Sequence, residues 1–455
     1  MRRYQVWMAA GVLAGAALAV TPSRAVAQGY GLYEHDACAM ARAGTGVAAP
    51  CADGSAMFFN PAGLAGITGK VATVGGVLIN TSGSFTADAT GHVSDLSDGH
   101  YPAPNVYLAM PLGTGKYAVG LGLFAPYGLT TEWPTTAAGR FDGYKSKIQS
   151  IYLQPTVAMK LNDRWNIGAG FDVNFMSVEL DQRLDLSRQQ AAPGVTFAML
   201  GIPAGTDFGD ASLTGNGTGV GYHLGIQFKA SDRLSFGLRY MSRQLVKFNS
   251  AKATFTQVPT GILLPGGNPF GVPAGTPLDA LVAGQFLPDS QLSNQGGSTW
   301  LRVPEQIVLG TAYQITPRLT GLFDLQWTNW AVFDTLTIKL DRAPTQQLPE
   351  NNSAVIDWRL GGEYQLNPST VLRAGVLAHK GASPDENVTP NLPEGSRTEF
   401  TAGFGTRLTP MLGFDFALQY IDQADRRGRS GPPGPNDGLY AFSAYLVGAS
   451  FVYRF

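Results

Sequence analysis

The chain has 455 residues, enough for two or three soluble domains, yet only 14% of them are charged, against about a quarter in ordinary soluble domains. Its net charge is −1, with 57 glycines and 11% aromatic residues, so no basic surface points to nucleic acid. Past Thr21 no stretch approaches the roughly eighteen apolar residues of a membrane helix. That leaves an all-β protein, either soluble or spanning a membrane by strands.

The chain opens on Met1-Arg2-Arg3, followed by an apolar run from Val6 to Val20, a break at Thr21-Pro22, and Ala25-Val26-Ala27. A basic start, a short apolar core and an A-x-A site form a secretory signal peptide, cleaved before Gln28. The apolar run is too short for a relaxed transmembrane anchor. Residues 1–27 are therefore assigned to export.

Residues 28–69 do not alternate. Asp36 to Pro50 is small and Ala-rich, and Ala56 to Leu64 reads Ala-Met-Phe-Phe-Asn-Pro-Ala-Gly-Leu. So short a segment needs something to pack against. The chain's two cysteines, Cys38 and Cys51, both fall in it. In an oxidising compartment a nearby pair suggests a disulfide, although both could instead be small buried residues.

Residues 70–455 read as strands. In Tyr222–Lys229 and in Leu412–Tyr420 every second residue is apolar, the period of a strand with one apolar face. Alternation and breakers place strands near 70–85, 103–112, 116–125, 147–160, 165–186, 218–229 and 233–255. Further ones lie near 300–313, 318–340, 354–365, 370–379, 397–408, 411–421 and 439–455. That makes fourteen, an even number, as in single-chain bacterial barrels.

The links between them alternate short and long. The short ones are Gly113-Thr114-Gly115, Asn162-Asp163, Ser231-Asp232, Thr316-Pro317, Asn367-Pro368 and Thr409-Pro410, all turn formers. Short periplasmic turns and long outer loops characterise a transmembrane barrel, and a soluble sandwich has no reason to keep that order. Trp165, Tyr313, Tyr364 and Phe455 sit at strand ends beside the short turns or the C-terminus, where an aromatic girdle meets the headgroups. The sequence therefore predicts a 14-stranded antiparallel transmembrane β-barrel in the outer membrane of a Gram-negative bacterium. The lumen of such a barrel is wide enough to need filling, so residues 28–69 are expected to form a plug inside it.

Here the sequence resembles a known family. Met40-Ala41-Arg42-Ala43-Gly44-Thr45-Gly46-Val47-Ala48, followed by Met57-Phe58-Phe59-Asn60-Pro61-Ala62-Gly63-Leu64, is similar to the N-terminal hatch of the FadL-type fatty-acid and hydrocarbon transporters, with Asn60-Pro61-Ala62 as its core. Weaker matches are Val303–Gln306 through Trp327–Trp330 to Phe333, and Asp357–Tyr364 with Leu372–Gly375. The resemblance spans the whole mature chain. It implies passive uptake of hydrophobic molecules through outer-loop capture, a lumen pocket, and lateral exit beside a kinked third strand. That strand holds Gly120, Gly122 and Pro126, of which the two glycines are the expected site of the opening. The C-terminal aromatic, Phe455, looks like the signal read by the barrel-assembly machinery. Long-chain fatty acids or hydrophobic hydrocarbons are the expected ligands, and outer-membrane lipid with its lipopolysaccharide the surroundings of an expected monomer.

The long links are unusually apolar. Phe197, Met199 and Leu200 lie in the third, and Ile262, Leu263, Leu264 and Phe270 in the fourth. Exposed apolar patches mark binding surfaces, so these residues are expected to form a landing groove; the alternative is that the two loops pack on each other as a lid. Strand parity turns Asp172, Arg239, Asp324, Arg359, Glu363, Arg373, Glu399 and Asp415 inward. Arg239 and Arg373 are the candidate partners of a carboxylate, which arginine binds by paired hydrogen bonds. For any one of them, pairing with a neighbouring charge or with the hatch is the competing role.

No catalytic residues, cofactor or metal site are expected: H-E-x-x-H, C-x-x-C, G-x-S-x-G and P-loop motifs are all missing. The five histidines, His35, His92, His100, His223 and His379, fit no motif. A general diffusion porin is the rival reading, but an N-terminal plug and apolar outer loops argue against it.

Overall fold

The computed structural model describes residues 31–97, 99–428, 434 and 436–455. The signal peptide and its cleavage site lie outside the described residues. The barrel strands are β1 (Val71–Ala87), β2 (Gly99–Leu112), β3 (Tyr117–Phe124, resumed at Gly128–Glu132), β4 (Lys145–Lys160), β5 (Trp165–Asp185) and β6 (Asp207–Lys229). Then come β7 (Leu234–Met241 and Gln244–Gln257), β8 (Gln295–Val303 and Gln306–Thr316), β9 (Leu319–Thr328 and Thr335–Leu340) and β10 (Val355–Asn367). Last are β11 (Thr370–His379), β12 (Arg397–Arg407), β13 (Leu412–Gly428) and β14 (Gly438–Arg454). Each pairs antiparallel with its neighbours, and β14 pairs back onto β1 from Val71↔Arg454 to Ala87↔Gly438, closing the ring at fourteen.

Alternation explains why the ring forms where it does. On β5, Phe171 and Phe175 are exposed while Asp172 and Asn174 between them, and Met176 after them, are buried. Val74, Val157, Val220, Leu309, Leu360 and Phe451 are likewise exposed, a belt of apolar side chains that water would not tolerate and lipid covers. Trp165, Tyr313, Tyr364 and Phe455 are exposed at the short-turn end.

Several strands run further than their alternation suggests. β6 begins at Asp207, not near 218; β8 begins at Gln295, not near 300; β13 continues to Gly428, not to 421; and β3 resumes after a break. Beyond the lipid belt both faces are wet, so outward residues such as Thr214 and Asn216 are polar and period two fades. Backbone pairing persists because it depends on the ladder, not on the side chains.

Residues 31–69 lie inside the ring. Asp36 caps the short helix α1 (Ala37–Met40), accepting from the Cys38 amide at 2.7 Å. Ala43 and Gly44 then reverse the chain with φ of 60° and 68°. Helix α2 (Ala56–Phe59) leads into a 3-10 turn (Pro61–Gly66) whose first residues suit it: Asn60 Oδ1 accepts from the Ala62 amide at 3.1 Å, and Pro61 takes the first helical position. A disulfide joins Cys38 to Cys51. Polar partners on strands all round the ring hold the segment. Ala37 N donates to Ser450 Oγ on β14 (3.2 Å), Ala43 N to Thr401 Oγ1 on β12 (3.0 Å), and Gly46 N to Asp324 on β9 (2.9 Å). Arg42 pairs with Glu363 on β10 at 3.0 Å, and Tyr107 OH on β2 donates to the His35 carbonyl at 2.9 Å.

Candidate functional site: a cavity and a gap in the wall

Above the N-terminal segment lies a cavity of about 990 Å³. Its floor is Gly31–Glu34, and its inner walls include Ile79, Tyr127, Ile148, Met176, Ala444 and Leu446. Leu392 and Pro393, from the long link between β11 and β12, reach down into it. The lining is mainly apolar, with Glu34, Glu394, Arg397 and Lys247 as its charged members. An apolar chamber with a few placed polar groups is the usual form of a small-molecule site.

This chamber reaches the wall where the wall is incomplete. β2 pairs with β3 from Leu112↔Tyr117 up to Val106↔Leu123, and there the ladder stops. Gly99 to Asn105 pair only with β1. β3 is interrupted at Ala125–Tyr127 and resumes against β4 alone, through Gly128↔Gln149. Proline explains the gap from both sides. Pro102 and Pro104 stand in the β1–β2 ladder, so the edge lacking their N–H groups faces β3, and Pro126 lacks a donor on the other strand. The cavity lining carries Pro102, Pro104 and Ala125, and beyond them residues of the outer face such as Ile151 and Phe175. The N-terminal segment sits across the break: the Leu32 amide donates to the Pro126 carbonyl at 2.9 Å, and Gly31 bridges to Tyr127.

Gly120 and Gly122, expected at the opening, lie below it in unbroken pairing with both neighbours. They make room instead. A Cβ on Gly120 would meet Met57 Sδ at 2.6 Å, and one on Gly122 would meet the Tyr107 ring at 3.1 Å. Pro102 and Pro104 carried the signal that glycine-based reading passed over.

The motif Asn60-Pro61-Ala62 is fully buried against β5 and β6. Asn60 Nδ2 donates to the carbonyls of Val47 (2.7 Å) and of Ile226 on β6 (2.9 Å). The wall is carved to receive it, since a Cβ on Gly225 would stand 2.1 Å from Asn60 Oδ1 and one on Gly168 would stand 2.4 Å from Pro61 C. Phe58 and Phe59 pack edge-on at 5.1 Å, and Phe58 meets His35 and Phe124.

The two candidate arginines point inward but lie away from the cavity. Arg239 is buried, donating to the Phe58 carbonyl at 3.0 Å and to Gln306 Oε1 at 2.7 Å, with its guanidinium 4.6 Å from the Phe58 ring. Arg373 is held between Glu363 (2.9 Å) and Asp415 (2.5 Å). Arg239 anchors the N-terminal segment through neutral acceptors, and Arg373 is balanced by two carboxylates beneath the chamber. Arg397, which the sequence did not single out, is the arginine that lines the chamber, with Nε 3.5 Å from Glu399.

The apolar loop residues divide into two groups. Phe197 and Leu264 are buried, with Leu278 and Val282, in a core shared by the links 186–206 and 258–294. Ile262 and Phe270 are half-buried against it, and the Phe197 and Phe270 rings lie 5.8 Å apart. Leu200 is also half-buried, whereas Met199 (71%) and Leu263 (65%) are exposed. The expected single landing groove is thus a packed pair of loops with an apolar outer rim, because each loop supplies the apolar partners the other needs.

Residues 18–455 match the family described as "Outer membrane protein transport protein (OMPP1/FadL/TodX)". The chain belongs to this family. It is 24% identical over 451 residues to the long-chain fatty acid transport protein of Salmonella typhi, covering 96% of this chain and 97% of that one. A Pseudomonas aeruginosa FadL homologue of known structure superposes with a TM-score of 0.78 at 20% identity, covering 94% of this chain and 100% of the other. The Pseudomonas putida toluene transporter TodX superposes at 0.69 with 17% identity, covering 94% and 99%. This is an outer-membrane β-barrel transporter of hydrophobic compounds.

Proposed function

We propose that the protein takes up long-chain fatty acids by passive diffusion, and that they leave the lumen sideways through the gap between β2 and β3. The observation that carries this reading is the apolar chamber that reaches the wall where Pro102, Pro104 and Pro126 break the ladder. A greasy molecule caught on the rim of Met199 and Leu263 enters the chamber, where burying its tail supplies the drive at roughly 25 cal/mol per Å². Arg397 is the cation placed to meet a carboxylate. Residues 31–69 act as a hatch, closing the path to the periplasm and bridging the gap through Leu32. Exit into the membrane needs no energy source, because an apolar tail is already at home there.

Relatives named as long-chain fatty acid transporters over the full length support this choice of substrate. A neutral hydrocarbon is the second candidate, favoured by the mainly apolar lining and by likeness to a toluene transporter. Growth of a deletion strain carrying this protein separates the two: growth restored on oleate and unaffected for toluene supports the fatty-acid reading, and the reverse pattern rejects it. Arg397→Ala should lower oleate uptake and spare any uptake of a neutral hydrocarbon.

A further inference from the structure

Outward-facing side chains change from apolar to polar at one level near the long-loop end. The steps are Ile151 to Gln149 on β4, Phe175 to Ser177 on β5, Val220 to Thr218 on β6 and Leu245 to Lys247 on β7. In an outer-membrane barrel that level is the headgroup region of the outer leaflet. Over much of the circumference the outward cations near it that no ion pair engages among the described residues stand singly, as Lys147 on β4 and Lys380 just past β11 do. Asn80, Thr398, Asp422 and Ser443 occupy it on β1 and β12–β14. Two further cations on β4 and β5 are matched, Lys145 with Glu179 at 2.8 Å and Arg183 with Asp210 at 3.3 Å.

The sector β7–β9 differs. Register sets Lys247 beside Trp300 and Leu245 beside Arg302 across β7–β8, and Ser298 beside Lys339 across β8–β9. Lys339 Nζ lies 5.6 Å from the Trp300 ring centroid. Lys247, Arg302 and Lys339 are all exposed, and none has an ion-pair partner among the described residues. Strand spacing puts the three within roughly 7–13 Å of one another. The nearest acids do not neutralise them: Glu305 is engaged by Asn329 (2.8 Å) and Tyr240 (3.4 Å), and Asp341 lies above, over Gly296. Directly below run the exposed apolar side chains Ile307, Leu309, Phe323 and Leu325.

We propose that Lys247, Arg302 and Lys339, grouped around Trp300, form a docking site for the phosphates of lipopolysaccharide. Three unmatched cations facing lipid at the headgroup level require an anion there, and arginine and lysine both bind phosphate well. The apolar strip beneath them seats acyl chains, which a free phosphate ion from the medium lacks. Trp300 is placed as interfacial tryptophans are, its ring between the polar and apolar zones. The site stands on the outer face of the wall, and of its three cations Lys247 alone also borders the chamber.

The test uses the full-length purified barrel in detergent, with bis-phosphorylated lipid A as probe and native mass spectrometry as readout. The triple variant Lys247→Gln/Arg302→Gln/Lys339→Gln should bind lipid A at least tenfold more weakly than the wild type. A control that removes the same charge at the periplasmic rim, Lys116→Gln/Lys160→Gln/Lys229→Gln, should bind like the wild type. Dephosphorylated lipid A should bind the wild type as weakly as the triple variant binds the intact probe, and inorganic phosphate should not compete at millimolar concentration. Equal binding by wild type and triple variant overturns the proposal, as does an equal loss in the control. Equally tight binding of phosphatidylglycerol would also overturn it, since any anionic lipid would then do. If the triple variant fails to give the heat-modifiable folded band, Arg302→Gln alone carries the same comparison.

Discussion

Replacing Asn60 and Pro61 by alanine tests whether the hatch is held to the wall by its Asn-Pro motif. In the wild type Asn60 makes three hydrogen bonds from a fully buried position: to Val47 O at 2.7 Å, to Ile226 O at 2.9 Å, and from the Ala62 amide at 3.1 Å. Each is worth about 1 kcal/mol net, and stranding a buried carbonyl costs about 1–3 kcal/mol. The double variant should therefore loosen the hatch locally by about 3 kcal/mol or more, which at 1.4 kcal/mol per tenfold is roughly a hundredfold. The barrel ladders involve neither side chain, so the heat-modifiable band on gels should persist. Amide exchange, measured by mass spectrometry on peptides covering 57–66, should accelerate by about two orders of magnitude while peptides of β10–β14 stay protected. Oleate uptake should be lost because the hatch no longer guides the ligand to the gap. Unchanged exchange would refute the anchoring argument, and full uptake by a loosened hatch would remove the hatch from the mechanism.

Four other outcomes follow from the same geometry. Gly225→Val places side-chain atoms where Asn60 Oδ1 now stands, within 2.1 Å of the new Cβ, and should expel the motif as effectively as deleting it; the exchange assay reads this directly. Alkylation of the denatured, unreduced protein should leave Cys38 and Cys51 unlabelled, and reduction, which reopens a loop with a 13-residue separation, should weaken the hatch by about 3 kcal/mol. Labelling without reductant would contradict this. Burial, and for Asp36 also the nearby Asp53, hold both carboxyls above the usual carboxylate range. The folded hatch thus binds more protons than the unfolded one, so its stability is full below the ordinary carboxylate pKa and declines as pH rises through the raised values. Asp36→Asn, which keeps the cap, should flatten that dependence in exchange corrected for intrinsic base catalysis. Met199→Ser/Leu263→Ser should weaken ligand capture with the loops still packed, whereas Leu264→Ser, inside the loop core, should disorder both links; equal effects would dissolve the distinction between rim and core.

Much of this architecture is legible in the sequence, because a barrel writes its wall as alternation and its topology as link length. Fourteen strands follow from those two patterns. Strand ends do not, since Asp207–Gly217 and Asp422–Gly428 rise above the lipid, where outward polar residues erase the period that marks a strand. Parity alone turns Arg239 and Arg373 inward, but their partners depend on how the hatch docks. The Phe58 carbonyl that receives Arg239 is 181 residues away in the chain, and no local pattern announces it. Glycine permits bends, and that points to Gly120 and Gly122 as the gap. What breaks a ladder is a missing donor, and Pro102, Pro104 and Pro126 are the residues that lack one.

Passage through that gap is the central claim, and closing it is the most direct test. Cysteines introduced at Ala103 on β2 and Leu129 on β3 face the cavity from opposite sides of the break. A bis-maleimide can join them while the native pair stays in its disulfide. The quantity to measure is the initial rate of radiolabelled oleate entry into cells whose only such transporter is this protein. Bridging should reduce that rate to the level of cells lacking the protein, with each single-cysteine variant, treated identically, retaining wild-type entry. A full rate through the bridged barrel would contradict the account and send the ligand elsewhere.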